Sequence, residues 1–235
     1  MSDDGKRRWK GPSETKASSG RRTSERKVTA YRAKSESSKK WIERQLSDPY
    51  VQRAQADGYR ARAAYKLIEI DEQMRLIRPG LRVVDLGSAP GGWLQVCVRK
   101  NVKDLVGIDL LDVDPIPGAH VVKGDVNAPD DVRRMMAGLS GPPDLVLSDM
   151  AANTTGHKQT DSLRTAALAE MALAFAEQRL IRGGAFCSKV FQGGATPEMM
   201  GRLKSAFESV KHIKPAASRA SSPELFVVAT GFKAN

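Results

Sequence analysis

Sulfur, aromatic rings and long apolar runs are all scarce in this chain of 235 residues. Its two cysteines, Cys97 and Cys187, sit in apolar contexts and are too few for a disulfide framework, so they read as reduced, buried thiols. Three histidines, His120, His157 and His212, are scattered and share no metal-ligand spacing with the cysteines, so no metal is expected. Only 6% of residues are aromatic, too few for the stacking platform of a single-strand binder. Recognition of a nucleic acid would rest on phosphate contacts and folded shape instead. No run of eighteen apolar residues exists and no apolar signal region opens the chain, so a soluble, cytoplasmic protein with no membrane partner is expected. No Gly-Lys-Ser or Gly-Lys-Thr follows a glycine loop, which excludes a Walker phosphate cradle.

Positive charge, by contrast, is abundant. The net charge of +11 points to a polyanionic partner, and it is unevenly spread. Residues 1–40 hold thirteen Lys/Arg against five Asp/Glu, a net +8, which leaves +3 for the remainder. That segment has few apolar residues and cannot bury enough surface to offset chain entropy. It is expected to be a disordered extension that touches RNA without reading sequence; a solubilising tail is the plainer alternative. Residues 41–235 are then expected to form one globular domain.

The ordered part begins with a helical pattern at Trp41, Ile42 and Leu46, followed by Ser47 or Asp48 as a cap with Pro49 in a first turn. A second helix is predicted from Arg62 to Leu76, broken by Pro79-Gly80, with Arg60, Arg62 and Lys66 at its start. Strands follow at Val83–Leu86, Leu105–Asp109, His120–Asp125, Asp144–Asp149 and Ala185–Phe191. Helices are predicted between them at Asp130–Leu139 and Ser162–Ile181. A helix near Pro197–Phe207 and strands near Val210–Ile213 and Glu224–Thr230 complete the chain. This alternation predicts a Rossmann-like α/β fold, a mainly parallel doubly wound sheet, with the last two strands as an antiparallel edge.

The sequence Val83-Val84-Asp85-Leu86-Gly87-Ser88-Ala89-Pro90-Gly91-Gly92-Trp93 is a buried strand, a tight turn and a helix start, where open α/β sheets bind ligands. A dinucleotide loop needs glycines at three places; here Gly87, Ala89 and Gly92 occupy them, and Pro90 removes an N–H that would cradle phosphate. A nucleoside without phosphate suits what remains, and S-adenosylmethionine is the common one. A structural βα turn is the bland alternative. Asp85, Asp109, Asp125 and Asp149 each fall at a strand's carboxyl end. Asp109 can accept both ribose hydroxyls, and Asp125 an adenine amine. Four acids on one rim also suit a sulfonium cation.

Lys189 interrupts an apolar strand, where an unpaired ammonium is costly. It is therefore partnered, exposed at the strand end, or chemically used. Lys66, Asp149 and Glu224 are candidates to converge with it.

Five ordered motifs, Arg60–Leu67, Val84–Trp93, Leu147–Ala151, Ser188–Gly193 and Ser218–Glu224, together resemble the FtsJ/RrmJ-type ribosomal RNA 2′-O-methyltransferases. The resemblance runs from about Trp41 to the C-terminus. It implies a catalytic tetrad of Lys66, Asp149, Lys189 and Glu224. It implies contacts to S-adenosylmethionine from Gly91, Trp93, Asp109, Asp125 and Asp149. Arg60, Arg62 and Arg219 are candidate RNA contacts. Bacterial members of this size modify a uridine ribose in the 23S RNA of the large ribosomal subunit, and a monomer is expected. Two departures stand out: Phe226 replaces a tyrosine common in the family, and the basic extension is longer than the resemblance requires.

In this reading Lys189 holds the ribose hydroxyl and helps deprotonate it, against a reference pKa of roughly 10.4 that Lys66 lowers and the carboxylates raise. A rival makes Lys189 only a positioning donor, with the proton lost late to water. Transfer RNA or another structured RNA is the nearest alternative substrate. A non-catalytic RNA-binding module would explain the charge but not the acids, and a nicotinamide dehydrogenase would explain Asp109 but not Ala89 and Pro90.

Overall fold

The computed structural model describes residues 47–152 and 155–234. The expectations for the basic segment 1–40 and for a helical pattern from Trp41 to Leu46 lie outside the described residues. Helix α1 (Pro49–Ala56) starts where the Asp48 carboxylate accepts the Tyr50 N–H at 3.0 Å with Pro49 in the first turn, a cap that contributes about 1 kcal/mol. Helix α2 (Ala63–Met74) buries Ala64, Leu67 and Ile70 at helical spacing. It ends earlier than Pro79-Gly80 suggested, because Arg75 turns left-handed (φ 51°) and the chain leaves the helix there.

The remaining elements alternate. They are β1 (Arg82–Leu86), α3 (Gly92–Arg99), β2 (Asp104–Asp109), β3 (His120–Lys123), α4 (Pro129–Met136), β4 (Leu145–Ser148) and α5 (Lys158–Arg179). Then come β5 (Ala185–Phe191), α6 (Pro197–Ala206), β6 (Phe207–Ile213) and β7 (Glu224–Phe232). The seven strands form one sheet in the order β3-β2-β1-β4-β5-β7-β6. The first five run parallel; β7 is antiparallel to both β5 and β6, so the predicted edge is present. Residues 214–223 link β6 to β7, between the predicted strand limits Ile213 and Glu224.

Each face of the sheet has its own core, as strand alternation requires. Val84, Leu86, Val106 and Ile108 pack with α4, α5 and α6, whereas Val83, Leu105, Leu145 and Leu147 pack with α2 and α3. Cys97 and Cys187 lie in the second core as free, fully buried thiols, and burial pushes both thiol pKa values up. Among the described residues no helix is long and apolar enough to cross a membrane.

The strand order reverses at β1, whose neighbours are β2 and β4. That makes the carboxyl ends of β1, β2 and β4 the place where such a sheet binds ligands.

Candidate active site

A crevice of ≈ 360 Å³ opens at that switch point. Its polar wall comes from the loops after β2, β3 and β4: Asp109, Asp125 and Asp149 all line it. Asp109 is held rigidly, its Oδ2 accepting the Ala89 N–H at 2.8 Å and its Oδ1 the Leu111 N–H at 2.9 Å. A carboxylate oxygen carries two lone pairs, so both oxygens keep acceptor capacity for vicinal hydroxyls. Strand β3 stops at Lys123, short of its predicted end, and Asp125 lies beyond it. The Asp125 N–H is fixed by the Asp131 carboxylate at 2.9 Å, and its Oδ1 accepts from Asn127 N and Nδ2 at 2.9 and 3.1 Å. The second oxygen is left for a ligand.

The fourth acid behaves differently. Asp85 lies inside β1, 1% exposed, with neither carboxylate oxygen hydrogen-bonded. Burial, with the nearby Asp149 and Asp109 charges, holds its pKa well above the usual carboxylate range and so favours the neutral acid. Three acids, rather than the expected four, therefore face the crevice.

Gly91 and Trp93 are not among the crevice-lining residues. Gly91 has φ 105°, and a Cβ there would meet Ile116 Cδ1 at 2.5 Å and Arg60 Nη1 at 3.0 Å, so glycine is required for close packing of the loop. The Trp93 side chain is buried; its Nε1 donates to the Ala63 carbonyl at 2.8 Å and its ring lies 5.7 Å from that of Phe226. The apolar lining, Leu110, Leu111, Met150, Leu168 and Met171, was not anticipated from sequence. Its one available signal is the exposed pair Leu110-Leu111 directly after Asp109, 68% and 67% accessible.

Beside the crevice the two lysines and two carboxylates meet. Lys189 follows Cys187 by two residues and so shares its sheet face, the one covered by α2, which carries Lys66. The β5–β7 register pairs Lys189 with Phe226 and Phe191 with Glu224, bringing Glu224 to the same face. Lys66 Nζ lies 2.8 Å from Glu224 Oε2 and 3.6 Å from Asp149 Oδ2. Lys189 Nζ lies 3.1 Å from Asp149 Oδ1 and donates to the Asp149 carbonyl at 2.8 Å. Asp149 Oδ1 is buried and ion-paired but accepts no aligned hydrogen bond, so it retains acceptor capacity. Ser218 Oγ donates to Glu224 Oε1 at 2.7 Å, a partner the sequence gave no reason to single out. Burial alone would lower the Lys66 pKa, but the Asp149 and Glu224 carboxylates outweigh it and hold that ammonium above the usual lysine value.

Phe226 is fully buried, its ring 5.7 Å below Lys66 Nζ.

The three candidate RNA arginines have protein partners. The Arg60 guanidinium donates to the carbonyls of Pro90, Asp114 and Pro115. Arg62 donates to Asp48 Oδ2 and the Ala217 carbonyl. Arg219 lies 3.4 Å from the same Asp48 and remains partly exposed. Asp48 thereby ties α1 to the 214–223 segment, which carries Ser218.

A mainly parallel sheet with a crevice at its switch point places this chain in the class of α/β proteins that bind ligands at the strand ends, here with two lysines and two carboxylates beside the crevice. The FtsJ-like methyltransferase family model matches residues 59–232, and the chain belongs to that family of RNA methyltransferases. It is 66% identical to the ribosomal RNA large subunit methyltransferase E of Hyphomonas neptunium over 99% of this chain and 100% of that protein. The enzyme of the same name from Gluconobacter oxydans is 54% identical over 86% of this chain and 75% of its own length. Among solved structures, a Plasmodium falciparum protein assigned as a ribosomal RNA methyltransferase superposes with a TM-score of 0.68. It is 30% identical and matches over 75% of this chain and 100% of its own.

Proposed function

We propose that this chain transfers a methyl group from S-adenosylmethionine to the 2′-hydroxyl of a uridine in 23S RNA of the large ribosomal subunit, working as a monomer in the cytoplasm. The observation that carries this reading is the double position of Asp149: it lines the crevice and is ion-paired with both Lys66 and Lys189. A ligand in the crevice and a hydroxyl at the lysines would thus meet across one side chain. The names of the relatives supply the ribosomal substrate.

The residues present fit the cofactor. Asp109 has acceptor capacity for the ribose and Asp125 for the adenine amine, while Leu110 and Met150 offer apolar walls. The carboxylates of Asp109, Asp125 and Asp149 favour a cation. When bound, S-adenosylmethionine supplies an electrophilic methyl on a positively charged sulfur. The tetrad's task is to hold the ribose oxygen in line and manage its proton, so positioning accounts for much of the acceleration. Lys189 Nζ holds that oxygen and, in its neutral amine form, takes the proton as the O–C bond forms and the methyl leaves the sulfur; Asp149 Oδ1, beside that amine, orients the O–H. Lys66, clamped by Glu224, keeps Asp149 in place, and Ser218 fixes the second oxygen of Glu224.

Phosphate contacts fall to Arg219, held only at 3.4 Å by Asp48 and partly exposed, and to the basic residues before position 41, because Arg60 and Arg62 are engaged by closer protein acceptors. The test is a single-turnover assay with radiolabelled donor on undermodified large subunits. The wild type should transfer label. Lys189→Ala should lose at least about a thousandfold in rate while binding S-adenosylmethionine normally. A near-normal rate in that variant would reduce Lys189 to a structural ion pair.

A further inference from the structure

Arg60 stands before α2, outside both the crevice lining and the tetrad. Its side chain nevertheless joins two segments that build the crevice. Nη1 donates to the Pro90 carbonyl at 3.2 Å and to the Asp114 carbonyl at 2.6 Å; Nη2 donates to the Pro115 carbonyl at 2.8 Å. Pro90 belongs to the loop containing Gly87 and Ala89, and Asp114-Pro115 to the segment that follows Asp109 and Leu111. Prolines at 90 and 115 have no N–H to donate, so main-chain pairing cannot tie the segments at these positions. A multidentate side-chain donor can, and the rigid guanidinium fork reaches all three carbonyls at once.

The anchor is itself held. The Arg60 N–H donates to Gln95 Oε1 at 2.8 Å, and Gln95 Nε2 donates to the Gly58 carbonyl at 3.0 Å, so the arginine's backbone is stitched to α3. Gly91 completes the fit: any Cβ there would press on Arg60 Nη1 and Ile116. The two glycine-loop features thus share one purpose, which is to let the arginine close against the loop.

We infer that Arg60 is a positioning residue for the cofactor, a clamp that fixes the 87–91 loop against the 109–116 segment at the spacing the nucleoside needs. This rests on the cofactor reading above. It differs from an RNA contact in what it predicts, because three of the five guanidinium N–H donors already serve carbonyls of the crevice segments.

The experiment is calorimetric titration of S-adenosylmethionine into the full chain and into Arg60→Ala and Arg60→Lys, paired with RNA-binding salt titrations of the same three proteins. Thermal melting of each protein confirms that it is folded. The clamp predicts that Arg60→Ala raises the cofactor Kd about tenfold and leaves the RNA salt slope unchanged. Arg60→Lys should recover part of that loss, since one ammonium replaces only some of the three bonds. An unchanged cofactor Kd in folded Arg60→Ala overturns the inference, as does a loss confined to RNA affinity with a shallower salt slope. Absence of binding by the wild type would instead overturn the cofactor reading, so the two failures are distinct. Should Arg60→Ala melt before titration, Arg60→Gln, which retains a donor, takes its place under the same criteria.

Discussion

The crevice and the lysine–carboxylate cluster adjoin one another yet are built on opposite terms. The carboxylates of the crevice acids Asp109 and Asp125 accept backbone N–H groups and retain acceptor capacity, so their charge is available to a ligand. In the cluster, charge is compensated within the protein: Lys66 is sandwiched by two carboxylates, and Lys189 is 6% exposed against Asp149. A binding surface profits from unmet acceptors, whereas a reacting centre must hold its groups still before substrate arrives. Asp149 is the residue that belongs to both regions.

The largest effect should therefore come from removing that shared side chain. Asp149→Ala should cost at least about a thousandfold in single-turnover rate and also weaken S-adenosylmethionine binding, because it leaves two buried ammonium groups without their common partner. A variant that lost rate but bound the cofactor normally would separate the two regions. Asp109→Ala should fall on one side only. The cofactor Kd should rise about tenfold to a hundredfold, read by calorimetry, with the saturated rate within a few fold of wild type. Unchanged affinity would remove Asp109 from the site.

A control away from both regions is the pairing of Arg82 with Asp144, where β1 and β4 begin. Asp144 accepts from Arg82 N, Nε and Nη2 at 2.8, 2.9 and 3.1 Å. Burial would raise the Asp144 pKa, but these bonds prevail and hold it below the usual carboxylate value. Its folded value being depressed, the stabilisation is complete above the unfolded pKa of about 3.9 and is lost as pH falls through the folded value. Asp144→Asn should cost about 2 kcal/mol at pH 7 and much less near pH 2, by denaturant titration, with cofactor affinity unchanged. An equal cost at both pH values would mean that the charge is not what matters.

The smallest effect should be that of deleting residues 1–40. Their net +8 should steepen the salt dependence of RNA binding, so the truncated protein should show a shallower slope and a deficit that shrinks as salt rises. The saturated rate should hold. Identical slopes would make the segment a solubilising tail.

The crevice acids were legible in sequence because each sits next to its strand, and strand ends are local signals. Strand β5 matched its predicted limits, Ala185–Phe191, since a short apolar run bounded by Gly184 and Gln192 has one good reading. Helix α5 started at Lys158 rather than Ser162; its first turn is polar and exposed, and carries no apolar period to mark it. Asp85 looked equivalent to the other acids, and only the strand's position in the centre of the sheet explains its burial. The engagement of Arg60 and Arg62 was invisible for another reason. Apart from the Asp48 carboxylate that holds Arg62, their acceptors at Asp114, Pro115 and Ala217 are far away in sequence and are backbone carbonyls, which every residue possesses.

The central claim is that the methyl group passes across Asp149 to a ribose oxygen of large-subunit RNA. Mass-spectrometric mapping of undermodified large subunits, after incubation with the protein and S-adenosylmethionine, tests it most directly. The account predicts one new methyl on the 2′-oxygen of a uridine in 23S RNA, absent when Lys189→Ala is used. A methyl on a base, or a modified ribose found only in transfer RNA, would contradict it.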